Sequence, residues 1–321
     1  VFGDYDLDGW PDLFVPGFNR ANRLYHNRGD GTFEDVAKKA GVQDLDHSAE
    51  AFLGFFLDYD NDGYPDILRT TDTQWETTVR ALSDSWDAVP EKRKQDMRRS
   101  TPRLYRNNRD GTFRDVSDKA GFRHPMAVMG AMVGDLDNDG YVDAYFATGT
   151  PEIIHLEPDR FFRNNGDGTF SDLTFAAGLG NVGKGHGTTF IDLDGDGELE
   201  IFVNEGGFVM GDPFPTAYYR NEKPTGNHWL HVDLQGTKSN RDAVGAQLKV
   251  SAGKLNMRRE ASNGEGFGSS NPRTVFFGLG KNQKVERLEI RWPSGLVQVF
   301  TDLPADQRIF VREGEGWVPR A

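Results

Sequence analysis

Asp4, Asp6 and Asp8 alternate with Tyr5 and Leu7 in the stretch DYDLDGWPD. The same spacing returns in DYDNDGYPD from Asp58, DLDNDGYVD from Asp135 and DLDGDGELE from Asp192. Alternation over so few residues aims several carboxylates at one point, which suits calcium, a hard cation that takes six to eight oxygens at flexible geometry. Position one (Asp4, Asp58, Asp135, Asp192), position three (Asp6, Asp60, Asp137, Asp194) and position five (Asp8, Asp62, Asp139, Asp196) are the expected inward carboxylates. Glycine at position six allows a sharp turn. Position seven (Trp10, Tyr64, Tyr141, Glu198) can give a main-chain carbonyl, and an acid at position nine (Asp12, Asp66, Asp143, Glu200) closes the shell. One Asp-Gly cluster would pass as an ordinary turn. Four in one register, each crowding like charges into nine residues, ask for a counter-ion. Magnesium fits less well, because it prefers a strict octahedron and keeps its waters. The expectation is about four Ca²⁺ sites.

The first half of each loop looks like an EF-hand, but the flanks do not. Apolar runs at 52–57 before a loop and 67–68 after it read as strands rather than paired helices. A second motif accompanies the loops: RLYHNRGDGTFEDVAKKAGV from Arg23, RLYRNNRDGTFRDVSDKAGF from Arg103 and RFFRNNGDGTFSDLTFAAGL from Arg160. Its Asp-Gly pairs predict two-residue hairpin turns between aromatic-rich strands. Loop starts 54, 77 and 57 residues apart give a period typical of propeller blades, with an insertion in the middle interval. Each repeat then amounts to about four short strands, and a degenerate copy beginning at Tyr218 and Tyr219 ends the array.

The 321 residues include no cysteine and 38 glycines and carry a formal net charge of −13. That composition excludes a disulfide-stapled scaffold and argues against nucleic acid or an anionic membrane as partner. No stretch is long enough to insert into a bilayer. Val1 enters the middle of a repeat, so the chain is expected to be a fragment or a processed product with upstream blades missing. Millimolar free calcium, which such loops usually need, places the protein outside cells, in a periplasm or at a cell surface.

The acidic loops followed by LYRNxxDGTFxDVxxxAG resemble FG-GAP repeats, also called VCBS repeats. The stretches HWLHVDLQGTKSNRDAVGAQLKV from His228, REASNGEGFGSSNP from Arg259, VFFGLG from Val275 and VERLEIRWPSGLVQVF from Val285 resemble the ASPIC and UnbV domain. The resemblance implies an all-β chain: a calcium-bearing β-propeller like the head of integrin α chains, followed by a β-sandwich. Such propellers usually close with about seven blades. Four loops therefore imply an incomplete propeller, or part of a seven-bladed one, over residues 1–225, with the second domain over 226–321.

Residues 71–101 are the least repeat-like. Trp75, Val79, Leu82 and Trp86 recur at helical spacing, and Pro90 is expected to stop that helix. Lys92, Arg93, Lys94, Arg98 and Arg99 then form a basic patch that could dock an acidic polysaccharide, but the favoured reading is a surface helix that buries its tryptophan stripe against the blade and solvates its basic face. In the second domain, alternation in HWLHVDL, AQLKVSA and RLEIRW suggests a small antiparallel sandwich or barrel with Trp292 in its core. Arg241 and Asp242, with Arg258, Arg259 and Glu260, read as an ion-pair network joining it to the propeller in preference to a ligand site.

No catalytic residue is assigned. His155 with Glu157, and His186 in GKGHGTTF, lack a nucleophile, a zinc motif or a phosphate loop beside them. The reading is a calcium-binding extracellular interaction or adhesion protein whose partner is a protein or polysaccharide of the cell surface or matrix. A secreted enzyme and a structural subunit of a larger extracellular assembly are the alternatives.

Overall fold

The computed structural model describes residues 1–44, 51–72, 89–150, 156–206, 214–222, 225–264 and 266–320. Their first part forms four meandering antiparallel sheets. Blade one comprises β1 (Phe2–Gly3), β2 (Asp12–Val15), β3 (Arg23–Asn27) and β4 (Phe33–Asp35). Blade two comprises β5 (Ala51–Leu57), β6 (Asp66–Thr71), β7 (Arg103–Asn107) and β8 (Phe113–Asp115). Blade three is built from β9 (Val128–Gly134), β10 (Asp143–Thr148), β12 (Arg160–Asn164) and β13 (Phe170–Asp172). A short pair, β11 (Glu157–Pro158) with β14 (Val182–Gly183), lies beside it. Three strands make the described part of blade four: β15 (Gly185–Ile191), β16 (Glu200–Glu205) and β17 (Ala217–Tyr219). Together the four are an incomplete propeller.

Strand alternation explains how the blades stack. On β10, Ala144 and Phe146 join a core shared with blade two, while Tyr145 and Ala147 join one shared with blade four. On β6, Leu68 faces blade three and Ile67 faces blade one. Successive side chains point to opposite faces of a strand, so a strand between two neighbours is buried on both faces, and its polar residues must find partners there, as Arg69 does with Asp44. All six residues of β6 and of β10 are buried accordingly.

The connection after each third strand differs from the expected two-residue turn. The last cross-strand pair is Asn27 with Phe33 in blade one, which leaves five residues between. The Asp30 carboxylate accepts from Thr32 N at 2.9 Å and Thr32 Oγ1 at 2.6 Å, and Asp110 and Asp167 repeat this with Thr112 and Thr169. The Asp therefore braces a longer loop instead of sitting at a tight corner. One-turn helices α1 (Ala37–Ala40) and α3 (Ser117–Ala120) follow, each ended by a left-handed glycine. Within the insertion, α2 (Glu91–Met97) begins immediately after Pro90, whose carbonyl accepts from Lys94 N, so this proline opens a helix. The stripe from Trp75 to Trp86 lies outside the described residues.

The second part is a sandwich of two four-stranded sheets. One has the order β21 (Val275–Gly280), β18 (His228–Gln235), β24 (Gln307–Arg312), β25 (Trp317–Arg320). The other runs β20 (Leu255–Glu260), β19 (Gln247–Ala252), β22 (Lys284–Arg291), β23 (Val297–Pro304). Trp292, Phe277, Leu248 and Ile309 lie in the core between them. The sheets are not wholly antiparallel, because β18 and β24 pair in parallel. Parallel neighbours cannot be joined by a hairpin, and here the chain crosses to the opposite sheet and back twice between them.

Candidate metal centres

Every acidic loop is the hairpin between the first two strands of its blade: β1 to β2, β5 to β6, β9 to β10 and β15 to β16. The same internal hydrogen bonds shape all four. The position-one carboxylate accepts from the position-six glycine N–H, at 3.1 Å for Asp4, 3.0 Å for Asp58, 2.8 Å for Asp135 and 3.2 Å for Asp192. Position five accepts from position seven, as in Asp139 with Tyr141 N at 2.9 Å. Position nine accepts from position two, as in Asp143 with Leu136 N at 3.0 Å. The position-six glycines have φ between +90° and +98°, a region that glycine enters at no steric cost.

These bonds fold the acids inward. Ligand-capable oxygens lie within 4.8 Å of one another in Asp4, Asp6 and Asp8; in Asp58, Asp60 and Asp62; in Asp135, Asp137 and Asp143; and in Asp192, Asp194 and Glu200. Asp6 and Asp12 also converge with His26. Among the described residues, three buried oxygens of these acids find no donor: Asp4 Oδ1, Asp60 Oδ1 and Glu200 Oε1. Burial pushes Asp58 up to about 7, with Arg259 opposing, and pushes Asp135 up to about 8, with Asp139 and Asp137 adding to it. Asp12 rises to about 7, again mainly through burial. A divalent cation opposes each of these shifts, since it favours the charged carboxylate.

The position-seven side chains point away from this work. Trp10 lies against Gly29 and Tyr141 against Gly166, where a Cβ would come within 2.6 Å and 2.9 Å of the respective rings. The Glu198 carboxylate instead takes Asn138 Nδ2 at 3.3 Å and Asn221 Nδ2 at 3.4 Å.

Sequence reasoning missed the residue that answers these acids from the third strand. Arg106 donates to Asp60 at 2.6 Å and Asp62 at 2.9 Å, and Arg163 to Asp137 at 2.5 Å and Asp139 at 3.0 Å. Arg220 donates to Asp194 at 2.8 Å, and His26 holds this place in blade one. The following asparagine ties the blades together. Asn107, Asn164 and Asn221 donate to the position-two carbonyls of the preceding loop, Tyr5, Tyr59 and Leu136, at 2.9, 2.8 and 3.2 Å. The signal was visible in the repeated LYHN, LYRN, FFRN and YYRN.

The sandwich sits on the loops. Gln247 Nε2 donates to Asp4 Oδ2 at 2.8 Å, His231 Nδ1 lies 3.3 Å from Asp192 Oδ2, and Arg259 donates to the Gly140 carbonyl at 3.2 Å. In FGLG, Gly280 N donates to the Asn138 carbonyl at 2.8 Å, and a Cβ on Gly278 would meet Asp135 Oδ2 at 2.2 Å. Only glycine permits that approach. The segment before β21 reaches the innermost strands: Ser269 Oγ accepts from Thr188 N, Asn271 Oδ1 from Phe190 N, and Phe267 packs on Phe52 with ring centroids 5.1 Å apart.

Other candidates are accounted for differently. His186 Nδ1 lies 2.8 Å from the Lys184 carbonyl, and Glu157 accepts from Ala127 N; His155 is outside the described residues. Arg98 of the basic patch pairs with Asp118 and with Glu91, while Lys92 is exposed. Asp242 pairs with Arg273 at 2.5 Å.

Meandering blades with an acidic loop on the first hairpin, seated against a β-sandwich, define a repeat-propeller protein with loops able to hold cations. The chain belongs to the FG-GAP-like repeat family, whose model matches residues 4–69, 96–146 and 149–203, and residues 236–317 match the ASPIC and UnbV family. It is similar to cartilage acidic protein 1 of Homo sapiens, 28% identical over 88% of this chain and 39% of that one. Its counterpart in Xenopus tropicalis is 27% identical over 93% of this chain and 41% of its own length. The chain thus spans about two fifths of the curated relatives it matches. A crystal structure of the V. cholerae biofilm matrix protein Bap1 aligns at 12% identity over 94% of this chain and 58% of that one, with a TM-score of 0.33. Among the described residues, no helix is long and apolar enough to cross a membrane.

Proposed function

We propose that the chain is a calcium-dependent extracellular interaction module in which about four Ca²⁺ ions rigidify a binding face made of blade rims. The observation that carries this reading is the convergence of carboxylate oxygens in all four loops, together with the unpartnered oxygens of Asp4, Asp60 and Glu200. Positions one, three, five and nine, with the position-seven carbonyls of Trp10, Tyr64, Tyr141 and Glu198, are the proposed ligands. The ion supplies charge neutralisation and nothing else; the chain's own Asx bonds set the loop shape. A site held at about ten times its dissociation constant adds ~1.4 kcal/mol, so four add on the order of 5 to 6 kcal/mol, comparable to the net stability of a domain.

The partner is a protein or polysaccharide of the cell surface or matrix. The net charge of −13 disfavours nucleic acid, and relatives named for cartilage agree with an extracellular setting. Calorimetric titration of chelated protein tests the metal reading: about four saturable calcium equivalents with weak magnesium competition are expected, and no calcium heat would end it. Binding of labelled protein to extracellular polysaccharides and envelope proteins, with calcium and with EDTA, tests the interaction reading. Saturable binding lost in EDTA is expected; no binding in either medium would move the weight to an assembly subunit.

A further inference from the structure

A cavity of about 770 Å³ lies where the innermost strands of all four blades meet the sandwich. That is the size of a small-molecule site. Phe55, Phe56, Val133, Phe190 and Phe276 give it an apolar wall, and its charged lining is Arg258 on the edge strand β20 with Arg259 and Arg273 against Asp58, Asp135 and Glu260. Arg258 is 5% exposed, yet its Nε and Nη2 find no hydrogen-bond partner among the described residues. Arg69 also leaves Nε and Nη1 without a partner, but its Nη2 donates to Asp44 at 2.5 Å, and the half-buried Arg259 donates to two main-chain carbonyls; no carboxylate stands against Arg258 in that way. Burial lowers the Arg258 pKa, while Glu260, Asp4 and Asp58 raise it from a distance without accepting from that edge.

Nε and Nη2 form one side of the rigid guanidinium fork, the side that matches both oxygens of a carboxylate. Leaving such a charge buried and unpaired is costly, and a single negative charge delivered into the cavity removes the cost. We propose that this cavity binds an organic monocarboxylate with an apolar body, its carboxylate held bidentately by Arg258 and its body against the phenylalanine wall. The inference is separate from any partner on the blade rims, but Asp58 and Asp135 of the acidic loops line the same cavity, so the titration is run in calcium and repeated in EDTA.

The test is ¹⁹F NMR titration of the full chain with 4-fluorobenzoate, and with 4-fluorobenzamide as the neutral match. Saturable broadening by the benzoate is expected, with the amide at least about tenfold weaker, the usual worth of a charge-assisted pair. Arg258→Met keeps the stem and removes the charge; it is expected to abolish benzoate binding while thermal unfolding occurs no lower than in the wild type. Arg258→Lys, which keeps charge but not the fork, is expected to bind at least about tenfold more weakly. Equal affinity for acid and amide, or no saturable binding by the wild type, overturns the proposal without any variant. Retained binding in Arg258→Met overturns it, and so does a marked fall in that variant's unfolding temperature, which would make Arg258 a structural charge.

Discussion

Asp135 in the propeller and Glu313 in the sandwich are both carboxylates sheltered at 3% exposure, and their surroundings drive them in opposite directions. Burial would raise Glu313, but Ser294 Oγ and the N–H groups of Ser239, Thr237 and Lys238 outweigh it and hold the pKa well below the ordinary range. Those N–H donors lie at 2.6 to 2.8 Å on Oε2, and Ser239 and Ser294 hydroxyls bind Oε1 at 2.9 and 2.5 Å. Asp135 has its loop's N–H bonds and two further carboxylates at hand, and it is pushed up to about 8. The sandwich brings its own donors to its buried acid. The propeller gathers acids whose burial and mutual repulsion its own donors do not offset, which is the arrangement of a site completed from outside.

The largest expected difference between the two regions comes from removing calcium. Unfolding monitored by circular dichroism should show a stability loss on the order of 5 to 6 kcal/mol in EDTA for four sites held at about ten times their dissociation constants. A single unchanged transition in both media would erase the comparison. Next is Glu313→Ala, which strands three N–H donors and should cost roughly 1 to 3 kcal/mol equally in calcium and in EDTA. Its pH signature has a fixed sign. The folded pKa is depressed, so the contribution of Glu313 is complete above the unfolded value of about 4.3 and disappears as pH falls through the folded value. Between about pH 5 and 8 the difference between wild type and variant should be flat; a difference that grows or shrinks over that range would contradict the assignment.

Asp137→Ala separates the regions more finely. It should remove roughly the 1.4 kcal/mol that one such site contributes in calcium and leave the EDTA midpoint nearly unchanged, because its partner Arg163 is 38% exposed and exposed pairs contribute little. Equal loss in both media would show that Asp137 is not a ligand.

The repeat-level architecture was legible in the chain because blade loops and third strands recur in fixed register, and a period-two pattern buried on both faces leaves one arrangement. What the sequence could not show depends on distant segments meeting. The Gly278 seat on Asp135 joins residues far apart in the chain, and FGLG reads equally as a turn until the contact is seen. The parallel pairing of β18 with β24 follows from crossovers between sheets that alternation alone does not order. Asp30, Asp110 and Asp167 misled for a local reason: Asp-Gly suits a tight turn, but the Thr two residues on gives the carboxylate two donors in a wider loop.

The smallest predicted effect concerns the arginines the loops already own. Arg163 donates to Asp137 and Asp139, two acids expected to ligate the ion, so arginine and calcium answer the same charges. Without calcium, Arg163→Gln leaves the carboxylates of loop three facing one another, and a loss of about 0.5 to 1 kcal/mol is expected in EDTA. With calcium, the ion takes over that neutralisation and a neighbouring positive charge is no longer needed, so the loss should shrink and calcium affinity should rise by a few fold. Titration of Arg163→Gln beside the wild type reads this. Weaker calcium binding by the variant would mean that Arg163 positions the ligands, and that the propeller, like the sandwich around Glu313, organises its acids with donors of its own.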